Sequence, residues 1–251
     1  ERGSGLSVRR CPGPDPRIRP GPRPRRDEAA ARDVFRGPRF SLSHSGVGAD
    51  ARLTRRQNAA MPSRFAKDFR SFADLAEAFT RNQDYRIVQL PRPGSSTMVL
   101  APHGGSIEAF TSDIARGIAG EDYGLYLFEG LLRAGNFASL HLPSERFDEP
   151  GCLQMLADCD RVVSVHGCSV TGEAVFIGGR DRALGEAVAA RLRAEGIACQ
   201  DAAEKLAGQD PRNICNRGRA GQGVQLEVSL ELRRSPRRKF LVTAVRQALG
   251  G

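Results

Sequence analysis

The chain has 251 residues, 40% of them hydrophobic and 27% charged, with a formal net charge of +9. That length suits one large domain or two small ones, able to bury roughly 70% of the unfolded surface. No apolar run approaches the roughly 18–20 residues of a membrane-spanning helix, and neither heptads nor short repeats occur, which excludes helical membrane, coiled-coil and solenoid classes.

The charge is unevenly spread. Residues 1–60 hold 14 Arg, no Lys and 6 acidic residues, together with 7 of the 15 prolines. Over residues 61–251 the 24 basic and 23 acidic residues nearly cancel. Residues 11–26, with Pro12, Pro14, Pro16, Pro20, Pro22 and Pro24, can build neither a helix nor a central strand. Residues 1–60 are therefore expected to be a disordered Arg/Pro-rich extension, and residues 61–251 the folded domain. An extension outside the functional unit is favoured over a basic arm, so nucleic acid is expected as a partner only through residues 1–60. With no apolar signal region and no transmembrane segment, a cytoplasmic location away from membranes is expected.

In chain order, Ser71 can cap a short helix carrying Phe72, Leu75, Ala76 and Phe79 on one face. Strands are predicted at Tyr85–Leu90 and 97–101 around the turn Pro91-Arg92-Pro93-Gly94, then a helix over 111–119. Strands follow at 123–128 and 139–142, a helix at 150–159, and strands at 161–165 and 174–177. An amphipathic helix over 181–195 ends at Gly196, a strand alternates over 224–230, and a last helix spans 237–249. Strands separated by helices predict a single α/β domain with a mixed, largely parallel sheet flanked by helices. Sites in such sheets form at the carboxyl ends of strands.

Two strand ends carry chemistry. Val99-Leu100-Ala101-Pro102 runs into His103-Gly104-Gly105-Ser106-Ile107-Glu108, and Val162-Val163-Ser164-Val165 runs into His166-Gly167-Cys168. Two imidazoles and a carboxylate match a three-ligand zinc site with an open fourth position, which lowers the pKa of water to about 7. A strand-end histidine is also readily a hydrogen-bonded structural residue, and both readings stay open. In Val224-Gln225-Leu226-Glu227-Val228-Ser229, Gln225, Glu227 and Ser229 share one face. Glu227 could take a proton from water and deliver it to a leaving amine, or it could lie on a solvated strand face. The polar run around Asn213, Asn216 and Arg217 suits a substrate carboxylate or an ordinary surface loop. Five cysteines in the body, an odd number without a CxxC pair, predict reduced thiols.

Taken in order, these segments resemble the phage-type poly-γ-glutamate hydrolase family, zinc amidohydrolases with a zinc-carboxypeptidase-like fold. The likeness runs over about residues 85–233. It includes Phe128-Glu129-Gly130, Asn136, Leu140-His141, Phe147-Asp148-Glu149-Pro150, Ile177-Gly178-Gly179, Asn213-Ile214 and Asn216-Arg217-Gly218 alongside the segments above. The resemblance implies Zn2+ held by His103, Glu108 and His166, with Glu227 as general base. It offers Arg217, Asn216 and His141 as substrate-binding candidates, and Arg219 or Arg233 as further cations for substrate carboxylates. It implies hydrolysis of γ-glutamyl amide bonds in a polyanionic polymer or peptide by metal-activated water. A zinc amidase for small acylated amino acids or cell-wall peptides is the alternative enzyme, and a non-catalytic basic-tailed nucleic-acid-binding protein the alternative class. One departure is Ser106, where a third glycine is expected; serine resists positive φ.

Overall fold

The computed structural model describes residues 69–250. The expected extension over residues 1–60 lies outside them, as does the expected start of the domain at 61. Seven strands form one mixed sheet. They are β1 Tyr85–Leu90, β2 Thr97–Gly105, β3 Gly124–Gly130, β4 Arg161–Cys168, β5 Ala174–Gly179, β6 Ala198–Asp201 and β7 Val224–Ser229. Seven α-helices accompany them: α1 Phe72–Ala78, α2 Thr111–Ala119, α3 Asn136–Leu140, α4 Pro150–Leu156, α5 Arg182–Ala194, α6 Leu230–Arg234 and α7 Arg238–Leu249. The spatial order is β1-β3-β2-β4-β7-β5-β6. The four central strands β3, β2, β4 and β7 are parallel, β1 pairs antiparallel with β3 and β5 antiparallel with β7, and β6 runs parallel to β5.

Alternation along the central strands divides the core in two. On one face Val99, Ala101, Leu125, Val163, Leu226 and Val228 pack under α2, α5 and α7. On the other, Met98, Leu100, Tyr126, Phe128 and Val162 pack with Leu75 of α1, Leu156 of α4 and Phe147. Both faces are covered, which accounts for the near-continuous apolar reading of these strands.

Local chemistry sets the helix starts. Ser71 Oγ accepts the Asp74 N–H at 3.2 Å to cap α1. The Glu149 carboxylate accepts the Cys152 N–H at 2.7 Å at α4, and Asp181 accepts the Leu184 N–H at 3.0 Å at α5.

The expected strand at 139–142 does not form: residues 139–140 close helix α3, and His141 and Leu142 follow it outside any strand. Gly135 takes a left-handed conformation before the helix, and the Asn136 amide closes on both Leu132 N–H and C=O. The expected helix 237–249 begins after a break at Ser235-Pro236, with α6 before it. Strand β6 and the 3-10 turns at Glu204–Leu206 and Ile214–Asn216 had no periodic signal. No described helix is long and apolar enough to cross a membrane.

Candidate metal centre

The site begins where the sheet splits. Pairing of β2 with β4 stops at Leu100 and Ser164. Beyond that point β2 stays with β3 as far as Gly105 and Gly130, while β4 stays with β7 as far as Cys168 and Ser229. A register shift between Ala101 and Gly104 places a bulge at Pro102-His103. The two halves diverge at the carboxyl ends of parallel strands, and the crevice between them receives His103 and His166. Glu227 lies opposite His166 in the β4–β7 register.

Glu108 reaches the same crevice from the loop after β2. Its N–H donates to the His103 carbonyl at 2.9 Å, and its Oε2 accepts the Gly167 N–H at 2.7 Å. The loop turns at Gly105, whose φ is +62°, beside Gly130. At this turn positive φ therefore falls on Gly105 and not on Ser106, so the departure at position 106 adds no backbone strain of its own. Glu108 stands three residues ahead of α2, and a left-handed Phe110 with φ +73° lies between them.

The donor atoms converge. His103 Nδ1 lies 3.1 Å from His166 Nδ1 and 3.3 Å from Glu108 Oε1, and His166 Nδ1 lies 3.9 Å from Glu108 Oε2. Ligands about 2.0–2.1 Å from one tetrahedral zinc ion stand roughly 3.4 Å apart, so the His103–His166 and His103–Glu108 spacings fit one ion, while His166 is nearer the other carboxylate oxygen of Glu108. The opposite ring nitrogens are occupied: His103 Nε2 donates to the Leu142 carbonyl at 2.8 Å, and His166 Nε2 meets Ser164 Oγ at 2.7 Å. A donating Nε2 leaves a lone pair on His103 Nδ1, the outer partnering that orients metal-bound imidazoles. His141 adds a further donor. Its Nε2 is 3.5 Å from Glu108 Oε1, its ring lies 3.9 Å from that of His103, and His103, Glu108 and His141 offer donor atoms within 4.8 Å of one another.

Burial and mutual charge set the ionisation. Desolvation, helped by His103, pushes His166 down to about 3, and His141 is lowered for the same two reasons. Burial alone would lower His103, but the Glu108 carboxylate beside it leaves its pKa raised. Burial opposes the charged form of Glu108, yet the surrounding histidines hold its carboxyl well below the usual range. Burial, then the Glu108 charge, pushes Glu227 up to about 7. A carboxyl near neutrality can both accept and release a proton.

The cleft above these residues has a volume of about 560 Å³. Its rim includes exposed Phe137 and Val170, with Phe137 stacked on His141 at 4.4 Å between ring centres. Among the described residues that line it, the one Lys or Arg is exposed Lys205, on the 3-10 turn Glu204–Leu206. At the floor, Asn213 Nδ2 donates to Gln225 Oε1 at 2.9 Å, and Gln225 Nε2 donates to Glu227 Oε1 at 3.1 Å. Sequence reasoning had put Gln225 on the face of Glu227 without assigning it work. Lys205 gave no signal, being an ordinary surface residue in an irregular segment.

The expected cations stand elsewhere. Arg217 does not line the cleft. Buried Asn216 is committed to backbone, donating to the Gly208 and Asp210 carbonyls and accepting from Arg180 and Gly223 N–H groups. Arg219 forms a two-pronged pair with Asp160 at 2.8 and 2.6 Å. Arg233 is 5% exposed and bonded to carbonyls, so it has no fork to offer a ligand. The five described cysteines are free thiols, and burial pushes the Cys215 thiol up to about 12.

The poly-gamma-glutamate hydrolase family matches residues 69–246 of this chain. The chain is 38% identical over 154 residues to the UPF0714 protein YndL of Bacillus subtilis (strain 168), covering 61% of this chain and 60% of that one. It is 35% identical over 174 residues to YmaC of the same organism, covering 68% and 73%. The match to the prophage-derived YoqZ spans half of that protein's length. In three dimensions it is similar to a bacteriophage poly-gamma-glutamate hydrolase, with TM-score 0.70 and 29% identity over 74% of this chain and 97% of that one. It is similar as well to a zinc-free form of YndL, with TM-score 0.68 and 30% identity over 74% and 98%.

Proposed function

The chain belongs to the poly-gamma-glutamate hydrolase family, and from that premise we propose that it is a zinc-dependent hydrolase of γ-glutamyl amide bonds. The observation that carries the reading is the pair of histidine Nδ1 atoms 3.1 Å apart, beside the Glu108 carboxylate, in a split between parallel strands. A relative solved in a zinc-free form adds support for the choice of metal.

His103 Nδ1, His166 Nδ1 and Glu108 would hold the ion, with His141 bordering them. Zinc, when bound, supplies Lewis-acid polarisation of a carbonyl and acidifies water at its open position. The remaining steps belong to the chain. Leu142 C=O and Ser164 Oγ fix the two imidazole rings, and the Gly167 N–H fixes Glu108. Glu227 Oε1 is held by Gln225, which leaves Oε2 to take the proton of the attacking water and pass it to the leaving amine nitrogen. The products are a carboxylate and a free amine.

A γ-glutamyl chain carries an α-carboxylate at each residue, joined through two methylenes. Lys205 is the side chain suited to meet a carboxylate at the cleft, and Phe137 and Val170 suit the methylenes. Arg217 and Asn216 do not keep the substrate-binding role expected of them, since the first stands off the cleft and the second has its amide occupied.

The test is elemental analysis of purified chain beside a His103→Ala/His166→Ala double variant, followed by hydrolysis of a γ-linked glutamate oligomer and its α-linked isomer. About one zinc per chain, lost in the variant, with cleavage of the γ-linked oligomer alone, is the expected result. A folded chain that takes up no zinc after incubation and dialysis sinks the mechanism.

A further inference from the structure

We propose that Arg233 is a positioning residue, a single guanidinium that sets the mutual spacing of the three segments carrying Glu108, His166 and Glu227. The proposal rests on the reading of these residues as a zinc centre, but its observations concern the chain alone. Arg233 projects from α6, directly after β7. Its Nε donates to the Val228 carbonyl at 3.0 Å, Nη1 to the Ala109 carbonyl at 2.5 Å, and Nη2 reaches the Cys168 carbonyl at 3.5 Å. These carbonyls stand one residue past Glu227, one past Glu108 and two past His166.

The split in the sheet gives such a tie its place, beside the Gly167–Glu108 bond that also crosses it. Past Leu100 and Ser164 no β-ladder joins β2 to β4, so hydrogen bonding between strands no longer sets the distance across the crevice. Arginine's planar fork holds N–H groups in fixed, diverging directions, whereas lysine has one nitrogen to offer.

Two further features follow from the clamp. A Cβ on Gly167 would stand 2.5 Å from Arg233 Cζ, so the glycine after His166 is required by the guanidinium packed against it. Phe110, in its left-handed conformation, lies beneath the Arg238 guanidinium at 5.2 Å, and Arg238 Nη1 donates to the Arg233 carbonyl at 3.1 Å. The strained turn after Glu108 is thus secured from the same helical corner.

The experiment measures zinc affinity by competition with a chromophoric chelator, together with zinc-free melting, on the full chain and on Arg233→Lys, Gly167→Ala and Val245→Ala. Val245 is a fully buried core residue of α7, and its truncation controls for lost stability alone. Arg233→Lys and Gly167→Ala are expected to fold and to bind zinc about 10–100-fold more weakly. Val245→Ala is expected to melt earlier with unchanged affinity. If Arg233→Lys does not fold, Gly167→Ala decides, because it displaces the guanidinium without removing it. Wild-type affinity in the folded Arg233 or Gly167 variant overturns the proposal, as does a loss no greater than that of Val245→Ala at equal melting loss. A wild-type chain that binds no zinc overturns the metal reading and the clamp with it, and that failure shows before any variant is measured.

Discussion

Burial and the neighbouring Glu108 charge push Glu227 up to about 7, and that single shift ties activity to stability. The proposed general base works only when deprotonated, so removing the carboxylate in Glu227→Gln should lower kcat about 10²–10⁴-fold while zinc content stays at the wild-type level. The linkage has a definite sign. A carboxyl raised from its unfolded value near 4.5 adds to stability below that pH, and the contribution is lost as pH climbs through about 7. Zinc-free wild type should therefore lose melting temperature between pH 4.5 and 8 relative to zinc-free Glu227→Gln, the gap growing in the variant's favour. A gap that stays constant with pH would show that Glu227 is not buried as described. Lys205 calls for a gentler effect, because an exposed charge contributes little. Lys205→Met should raise KM for a γ-linked oligomer about two- to fivefold with kcat unchanged. An α-amidated oligomer should feel no change, and an equal effect on both substrates would remove Lys205 from carboxylate recognition.

The glycine pairs that mark the sequence divide into two kinds once the elements are in place. Gly105, at φ +62°, turns the loop that delivers Glu108. Gly179, at φ +92°, and Gly223 serve close backbone packing. A Cβ on Gly179 would sit 2.1 Å from the Gly223 carbonyl oxygen, and one on Gly223 would sit 2.1 Å from that of Cys215. Both glycines lie where β5 passes the start of β7 and the loop knit by Asn216. Gly179→Ala is expected to cost about 1–3 kcal/mol or more of stability, read as an earlier melt, with zinc affinity retained in the folded fraction. An unchanged melting temperature would contradict the backbone placement. The misread segment 139–142 shows what periodicity lacks: four residues contain barely one helical turn, so the Gly135 conformation and the Asn136 side chain decided the outcome.

At the scale of the whole molecule, the charge of the chain and the match to its family lie in different places. The family match covers residues 69–246, whereas the Arg/Pro-rich stretch covers residues 1–60. Deleting residues 1–60 is expected to leave zinc content and γ-glutamyl cleavage unchanged and to remove any salt-dependent binding to nucleic acid. Loss of hydrolysis on deletion would assign the stretch to the working enzyme. Much of the fold was legible in sequence because its signals are local. The apolar runs at Val99-Leu100-Ala101 and Val162-Val163 mark buried parallel strands, and the spacing over 181–195 marks a helix. The His-Gly endings of two strands pointed to the crevice, since sites gather at the carboxyl ends of such sheets. The rest depended on groups distant in the chain. Which imidazole nitrogen faces the centre is decided by Leu142 and Ser164, and the place of His141 beside His103 by helix α3. That Arg233 is a buried tie while Lys205 is the cation at the cleft follows from where α6 and the 3-10 turn come to rest. Composition and period report what each residue prefers among its neighbours in the chain. Only the packed structure determines which carbonyls and charges, up to 128 positions away, each side chain must satisfy.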